Sequence, residues 1–173
     1  MRQGDRRGTE MDFYDFTYDG SVTDGYLSDG LGQLTDLDEG NWNFRLDLQN
    51  LGKKGYEWMA WKNDQLTGPV EILFRFDVVR NFSSVAITAN NFYTREVSVF
   101  REAQVYFSVG GEHYRNDYIG YKYSTDAVLE YARQVVIPLE NRVGQFVKLV
   151  LFFESKWMMI SEIRFTAGIT TIN

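Results

Sequence analysis

Between Val70 and Phe76 apolar residues fall at every second position: Val70, Ile72, Phe74 and Phe76 share one face, with Glu71, Leu73 and Arg75 on the other. A helix cannot gather residues spaced by two on one side, whereas a pleated strand does so automatically. The same alternation recurs in Val85, Ile87 and Ala89, and in Val147, Leu149, Leu151 and Phe153. Shorter runs at Val97-Ser98-Val99, Ala103 to Phe107, Val135-Val136-Ile137 and Ile163-Arg164-Phe165 also read as strands, the third stopped by Pro138. Only Asp126 to Gln134, after a Thr125 or Asp126 cap, offers a helical alternative, and an irregular loop suits it equally. Many short strands with glycine between them predict an all-β sandwich or barrel. The Asp- and Gly-rich stretch from Asp19 to Lys54 reads as loop, where a rigid sandwich usually carries its binding groups.

With 173 residues, 16% of them aromatic, the chain has enough apolar mass for one packed domain, and no internal seam divides it. The expected organisation is an N-terminal tail over residues 1–12, a sandwich over 13–168 and a C-terminal tail over 169–173. The absence of cysteine removes disulfides, thiol catalysis and Cys-ligated zinc. No run approaches the roughly 18 apolar residues of a membrane helix, so the chain itself is not expected to insert in a membrane. The segment Met1 to Asp5 lacks a signal-peptide core, so an extracellular domain of this sequence implies a fragment of a longer chain. The formal charge of −6 argues against a nucleic-acid partner, since the concentrated basic run is Arg2, Arg6 and Arg7 at the terminus.

Catalytic signals are weak. His113 is the single histidine and sits in a polar loop. Carboxylates are numerous, but none shows a spacing that marks an acid–base pair, so no enzyme is expected. The denser cluster is oxygen-rich: Asp24, Asp29, Gln33, Asp36, Asp38 and Glu39 alternate with Gly25, Gly30, Gly32 and Gly40. Calcium takes six to eight such oxygens, and glycine lets a loop turn its carbonyls inward. A solvated run of Asx-turns has the same composition, so the residues alone leave both readings open. Asn81-Phe82-Ser83 is a glycosylation sequon. Trp42, Trp58, Trp61 and Trp157 read as packing anchors, with an exposed aromatic patch as the alternative.

Several blocks together resemble one family. The run Asp24-Gly25-Tyr26-Leu27-Ser28-Asp29-Gly30-Leu31-Gly32-Gln33-Leu34-Thr35-Asp36 is similar to the opening of the second, discoidin-like domain of discoidin domain receptors. Val70 to Asp77, Arg80 to Ser83, Asn90-Asn91-Phe92, Val97 to Phe100, Gln104 to Phe107 and Trp157 to Ile163 resemble later blocks of that domain in the same order. The resemblance implies a jelly-roll β-sandwich of the discoidin-like, galactose-binding-domain-like class. It implies an ectodomain of a collagen-activated receptor tyrosine kinase on the extracellular side of the plasma membrane, whose kinase lies elsewhere. In such a receptor an adjacent discoidin domain carries most of the collagen site, and the receptor can dimerise. The alternative is a module that binds collagen or carbohydrate directly through its loops.

The resemblance also implies a calcium site. Gln33 and Asp36 would give side-chain oxygens and Asp38 a backbone carbonyl, while Ser161 and Glu162 match a Ser-Glu pair near the end. Glu57 stands where relatives have a shorter Asp, and Met59 would add a carbonyl. Asn81 would carry a glycan in a turn between two strands. The chain departs from vertebrate members in having Val105 and Leu149 where a disulfide is placed, and Ala89 in place of a further cysteine.

Overall fold

The computed structural model describes residues 21–23, 26–28, 34–35, 37, 39–44, 58–65 and 68–170. Two short strands, β1 (Ser21–Thr23) and β2 (Tyr26–Ser28), pair with each other. The other six are β3 (Met59–Lys62), β4 (Val70–Ala89), β5 (Glu102–Ser108), β6 (Ile119–Lys122), β7 (Arg133–Phe152) and β8 (Trp157–Ile169). They run antiparallel in the order β3-β8-β4-β7-β5-β6, and no α-helix occurs among the described residues.

The two long strands turn this ladder into two layers. Along the β4–β7 pair, Arg75 faces Phe146 but Arg80 faces Gly144, so residues 76–79 stand against Gln145 alone. A few positions on, Phe82 faces Arg142 while Ser84 faces Pro138, leaving residues 139–141 against Ser83. Surplus residues on one strand bend it sharply, and strands that bend this way pass from one sheet to the next. The first half of β4 and the second half of β7 form one layer with β5 and β6. The second half of β4 and the first half of β7 form the other with β8 and β3. Gln145 Nε2 donates to the carbonyls of Phe76 (3.1 Å) and Asp77 (3.3 Å), satisfying acceptors that the bend removes from the ladder. Glu140 and Asn141 take left-handed φ values of 53° and 57° in the opposite bulge.

The inner faces meet in one core, built from the alternating residues read in the sequence. Val70, Ile72 and Phe74 are buried, as are Val85, Ile87 and Ala89, and Val147, Leu149 and Leu151. Phe74 packs on Phe165 across the layers at 4.9 Å between ring centres, and Phe82 touches Phe76, Phe107 and Phe165. Deleting a fully buried phenylalanine of this kind costs about 3–5 kcal/mol. Val105 and Leu149, the positions where relatives are expected to place a disulfide, are direct partners across β5 and β7, and both are fully buried.

Three local expectations are corrected. Pro138 does not end a strand, because β7 runs through it. That half of β7 ladders with β4 and not with β5, whose pairing begins at Phe146, so the missing N–H leaves no central ladder broken. Val97 forms only isolated bridges, to Phe92 and Trp157, rather than opening a strand. Asn81 lies not in a turn but inside continuous β4, paired with Val143 on one side and Gly168 on the other. Alternation and sequon spacing do not reveal that a strand can bend through two layers without a turn. Residues 126–132, where helix and loop were equal, form a loop.

Candidate functional site at the β8 bulge

Where β4 meets the middle of β8, Thr88 faces Glu162 and Ala89 faces Ile160, which leaves Ser161 without a partner residue. Ser161 is the extra residue of a β-bulge, a device that re-aims side chains at the end of a ladder. It is fully buried, and its Oγ finds no hydrogen-bond partner among the described residues. Glu162 beside it is only 2% exposed. A carboxylate removed from water in this way requires compensating donors or a cation. One donor is the backbone N–H of Leu37, 3.2 Å from Glu162 Oε2.

This contact ties an N-terminal loop to the last strand, 125 residues away in sequence. Leu37 adopts a left-handed φ of 73° and leaves its side chain exposed, so the loop is shaped for its backbone rather than for burial of the leucine. The next residues lie on the second layer. Gly40 sits against the Trp58 indole, where any β-carbon would collide with the ring. Trp58 Nε1 donates to the Asn41 carbonyl at 3.0 Å, and Asn90 Nδ2 donates to the Trp42 carbonyl at 2.9 Å. Beneath them Phe44, Trp58, Ala60, Val97 and Met159 form a second buried cluster. Trp58 and Trp61 are thus packing anchors, Trp157 is half-buried, and Trp42 is exposed.

Of the residues expected to hold calcium, Gln33, Asp36, Asp38 and Glu57 lie outside the described residues. Met59 is on β3 opposite Ile160, the neighbour of Ser161. Glu162, the residue after Ser161, contacts the loop at Leu37, whose two chain neighbours are Asp36 and Asp38. Among the described residues no group of three His, Cys, Asp or Glu side chains converges. The donor chemistry nonetheless suits a hard cation: a buried hydroxyl lacking a partner and, next to it in sequence, a buried carboxylate.

The same end of the sandwich carries a second loop. Asn91 is buried, and its Nδ2 donates to the carbonyls of Asp126 (2.8 Å) and Leu129 (3.1 Å). Asp126 Oδ1 accepts the Val128 N–H at 2.8 Å, and Arg133 ion-pairs with the same carboxylate while lying over the Tyr131 ring. The backbone hydrogen bond from Val128 and the Arg133 contact hold the Asp126 carboxyl below the ordinary aspartate range. Glu130 Oε1 accepts from the Thr94 backbone N–H. With the polar groups turned inward, Val128, Leu129 and Tyr131 project into solvent, as Trp42 does. Sequence reasoning passed over Asn90 and Asn91 as site residues; two adjacent amides ending a strand carry no periodic signal of their own. His113 is exposed in its loop.

Over residues 1–167 the chain matches the family model described as discoidin domain-containing receptor 1/2, DS-like domain. The chain belongs to this family of discoidin-like receptor domains. It is 29% identical over 173 residues to discoidin domain-containing receptor tyrosine kinase B of Caenorhabditis elegans, covering 98% of this chain and 21% of that receptor. It is 31% identical over 162 residues to human epithelial discoidin domain-containing receptor 1, covering 90% of this chain and 17% of the receptor. The chain therefore spans about a fifth of the length of these relatives. Among solved structures, a CBM32 module from a family 31 glycoside hydrolase of Clostridium perfringens aligns with a TM-score of 0.47 at 12% identity, over 64% of this chain and 75% of that one. That likeness has no bearing on what the chain binds. No helix among the described residues is long and apolar enough to cross a membrane.

Proposed function

We propose that the chain is a non-catalytic, calcium-stabilised ectodomain module of a collagen-activated receptor tyrosine kinase, placed outside the cell and supporting ligand-induced signalling by a receptor that can dimerise. The observation that carries this reading is the β8 bulge, where the buried, unpartnered Ser161 hydroxyl is followed in the chain by the buried Glu162 carboxylate, which accepts from the Leu37 backbone. Gln33, Asp36, Ser161 and Glu162 would supply side-chain oxygens, Glu57 a longer carboxylate, and Asp38 and Met59 backbone carbonyls. Bound calcium would supply positive charge against the buried carboxylate and cross-link loop to strand. Because the unfolded chain cannot preform such a site, binding adds directly to folding stability. Asn81 is the proposed glycan site. It lies next to the bend of β4, and the hydroxyl of its sequon partner Ser83 donates to the Thr166 carbonyl.

A second reading, direct binding of collagen or carbohydrate by the loops, is favoured by the exposure of Trp42 and of Val128, Leu129 and Tyr131 on loops. The amide and carboxylate groups beneath these side chains are engaged within the protein, which leaves few donors for sugar hydroxyls. Apolar protein contact is therefore the form this reading takes.

At calcium a hundredfold above its dissociation constant the gain is about 2.7 kcal/mol, which for a chain of this length raises Tm by roughly 5–10 °C. Glu162→Ala should abolish most of that rise while lowering Tm less in excess chelator; equal losses in both buffers would remove the metal role. Secreted protein should lose the mass of one N-glycan on amidase treatment, and lose the sensitivity in Asn81→Gln; an unchanged wild-type mass would contradict the glycan. The isolated chain should hold fibrillar collagen weakly or not at all, whereas tight binding that disappears in Trp42→Ala would put the second reading first.

A further inference from the structure

The chain is acidic overall, yet the outer face of the β4–β7–β5–β6 layer is not. Register places Leu73 and Arg75 of β4, Phe146, Lys148 and Phe152 of β7 and Tyr106 of β5 on that face, because their neighbours Ile72, Phe74, Val147, Leu149 and Val105 fill the core. Three of its cations lie over aromatic rings. Lys148 Nζ is 5.1 Å from the centres of both Tyr106 and Tyr114, Arg75 is 5.8 Å from Phe146, and Arg101 is 6.0 Å from Phe152. Among the described residues none of these three cations forms an ion pair. A ring beneath a cation restrains its stem without using its N–H donors. The donors are therefore held in place and unspent.

A cavity of about 200 Å³ lies where Phe107 of β5 and the loop at Arg115 meet the bend of β7, lined by Phe107, Arg115, Asp117, Asn141, Arg142 and Val143. There two arginines share one carboxylate, with Arg115 Nε 3.1 Å from Asp117 and Arg142 on its other oxygen. On the face Arg75, Arg101, Lys122 and Lys148 outnumber the carboxylates Glu71 and Glu102, in a chain of net charge −6, while at the cavity Arg142 is engaged by Asp117 and by Glu140 at 3.9 Å. Glu102 is engaged by Gln104, which in turn accepts from the Tyr106 hydroxyl. Burial holds the Tyr106 and Tyr114 phenols above their ordinary range, so both rings stay neutral near an anion.

We propose that this face binds a sulfated polysaccharide, with Arg75, Lys148 and Arg101 pairing with sulfates and the exposed Tyr118 and Leu73 packing on sugar rings. The choice of polyanion rests on the extracellular placement proposed above; the charge pattern does not. Sulfate stays ionised at every physiological pH and accepts hydrogen bonds from guanidinium in pairs. An acidic peptide is disfavoured by the shape, since peptides are read along a free strand edge or through side-chain pockets, and this is the flat face of laddered strands.

The test is calorimetric titration of the whole chain with a highly sulfated heparin-type oligosaccharide at low and physiological salt. Duplex DNA and polyglutamate of matched charge serve as comparison arms. Measurable affinity is expected that weakens with salt, falls at least tenfold in Arg75→Gln/Lys148→Gln and severalfold in Tyr118→Ala, and stays within twofold in Arg164→Gln on the opposite layer. Melting curves verify that each variant is folded, and Arg101→Gln provides a second route if the double variant does not fold. No binding by the wild type, or an equal loss in Arg164→Gln, overturns the site. Equal affinity for DNA or polyglutamate overturns the polysaccharide assignment while leaving the extracellular placement to be judged separately by the Asn81 glycan.

Discussion

Strands β4 and β7 each belong to both layers of the sandwich, and the places where they bend determine where everything else can lie. Twenty-residue strands laddered without interruption would give a single open, twisted sheet rather than two facing layers. The surplus residues at 76–79 and 139–141 fold the pair onto itself, so Phe74 of one half meets Phe165 beside the other. Beyond the bend, β4 ends at Ala89 beside the Ser161 bulge, with Asn90 and Asn91 directly following. The loop-bearing end of the molecule is thus assembled by three irregularities in otherwise regular strands.

That end is held by polar groups rather than by its own core. Glu162 accepts from Leu37, Asn90 just after β4 holds the Trp42 carbonyl, and Asn91 holds the loop at Asp126 and Leu129. Buried polar contacts of this kind contribute little net stability when complete and cost about 1–3 kcal/mol when one partner is lost. The Oδ1 atoms of Asn90 and Asn91 and the Oγ of Ser161 are buried without partners among the described residues. Asn81 Oδ1 at the bend of β4 and the Tyr114 hydroxyl beside Lys148 are buried without partners as well. The second cluster under Trp58 is small, so the loop above it depends on these ties.

Much of this was legible in the sequence. The alternation at Val70 to Phe76 and at Val147 to Phe153 placed the inner faces correctly, because a half-buried strand has only one way to arrange such residues. The family resemblance, carried by ordered blocks, put Val105 and Leu149 opposite one another, as they are across β5 and β7. The bends were not legible, since a bulge adds residues without changing composition, and Pro138 looked like a terminator because its ladder is one-sided. Nor was the basic outer face: Arg75, Arg101, Arg115 and Lys148 are scattered through acidic sequence and meet only when three strands and a loop align.

The loop-bearing end depends on Glu162 clasping the loop at Leu37. Amide hydrogen exchange at Leu37, followed by NMR in the wild type and in Glu162→Ala, addresses that contact directly. The Leu37 amide should exchange slowly in the wild type, more slowly still with calcium, and at least tenfold faster in Glu162→Ala while amides in the β4–β7 ladder keep their rates. Equal exchange at Leu37 in both proteins, with and without calcium, would mean that the loop is held by something other than this carboxylate.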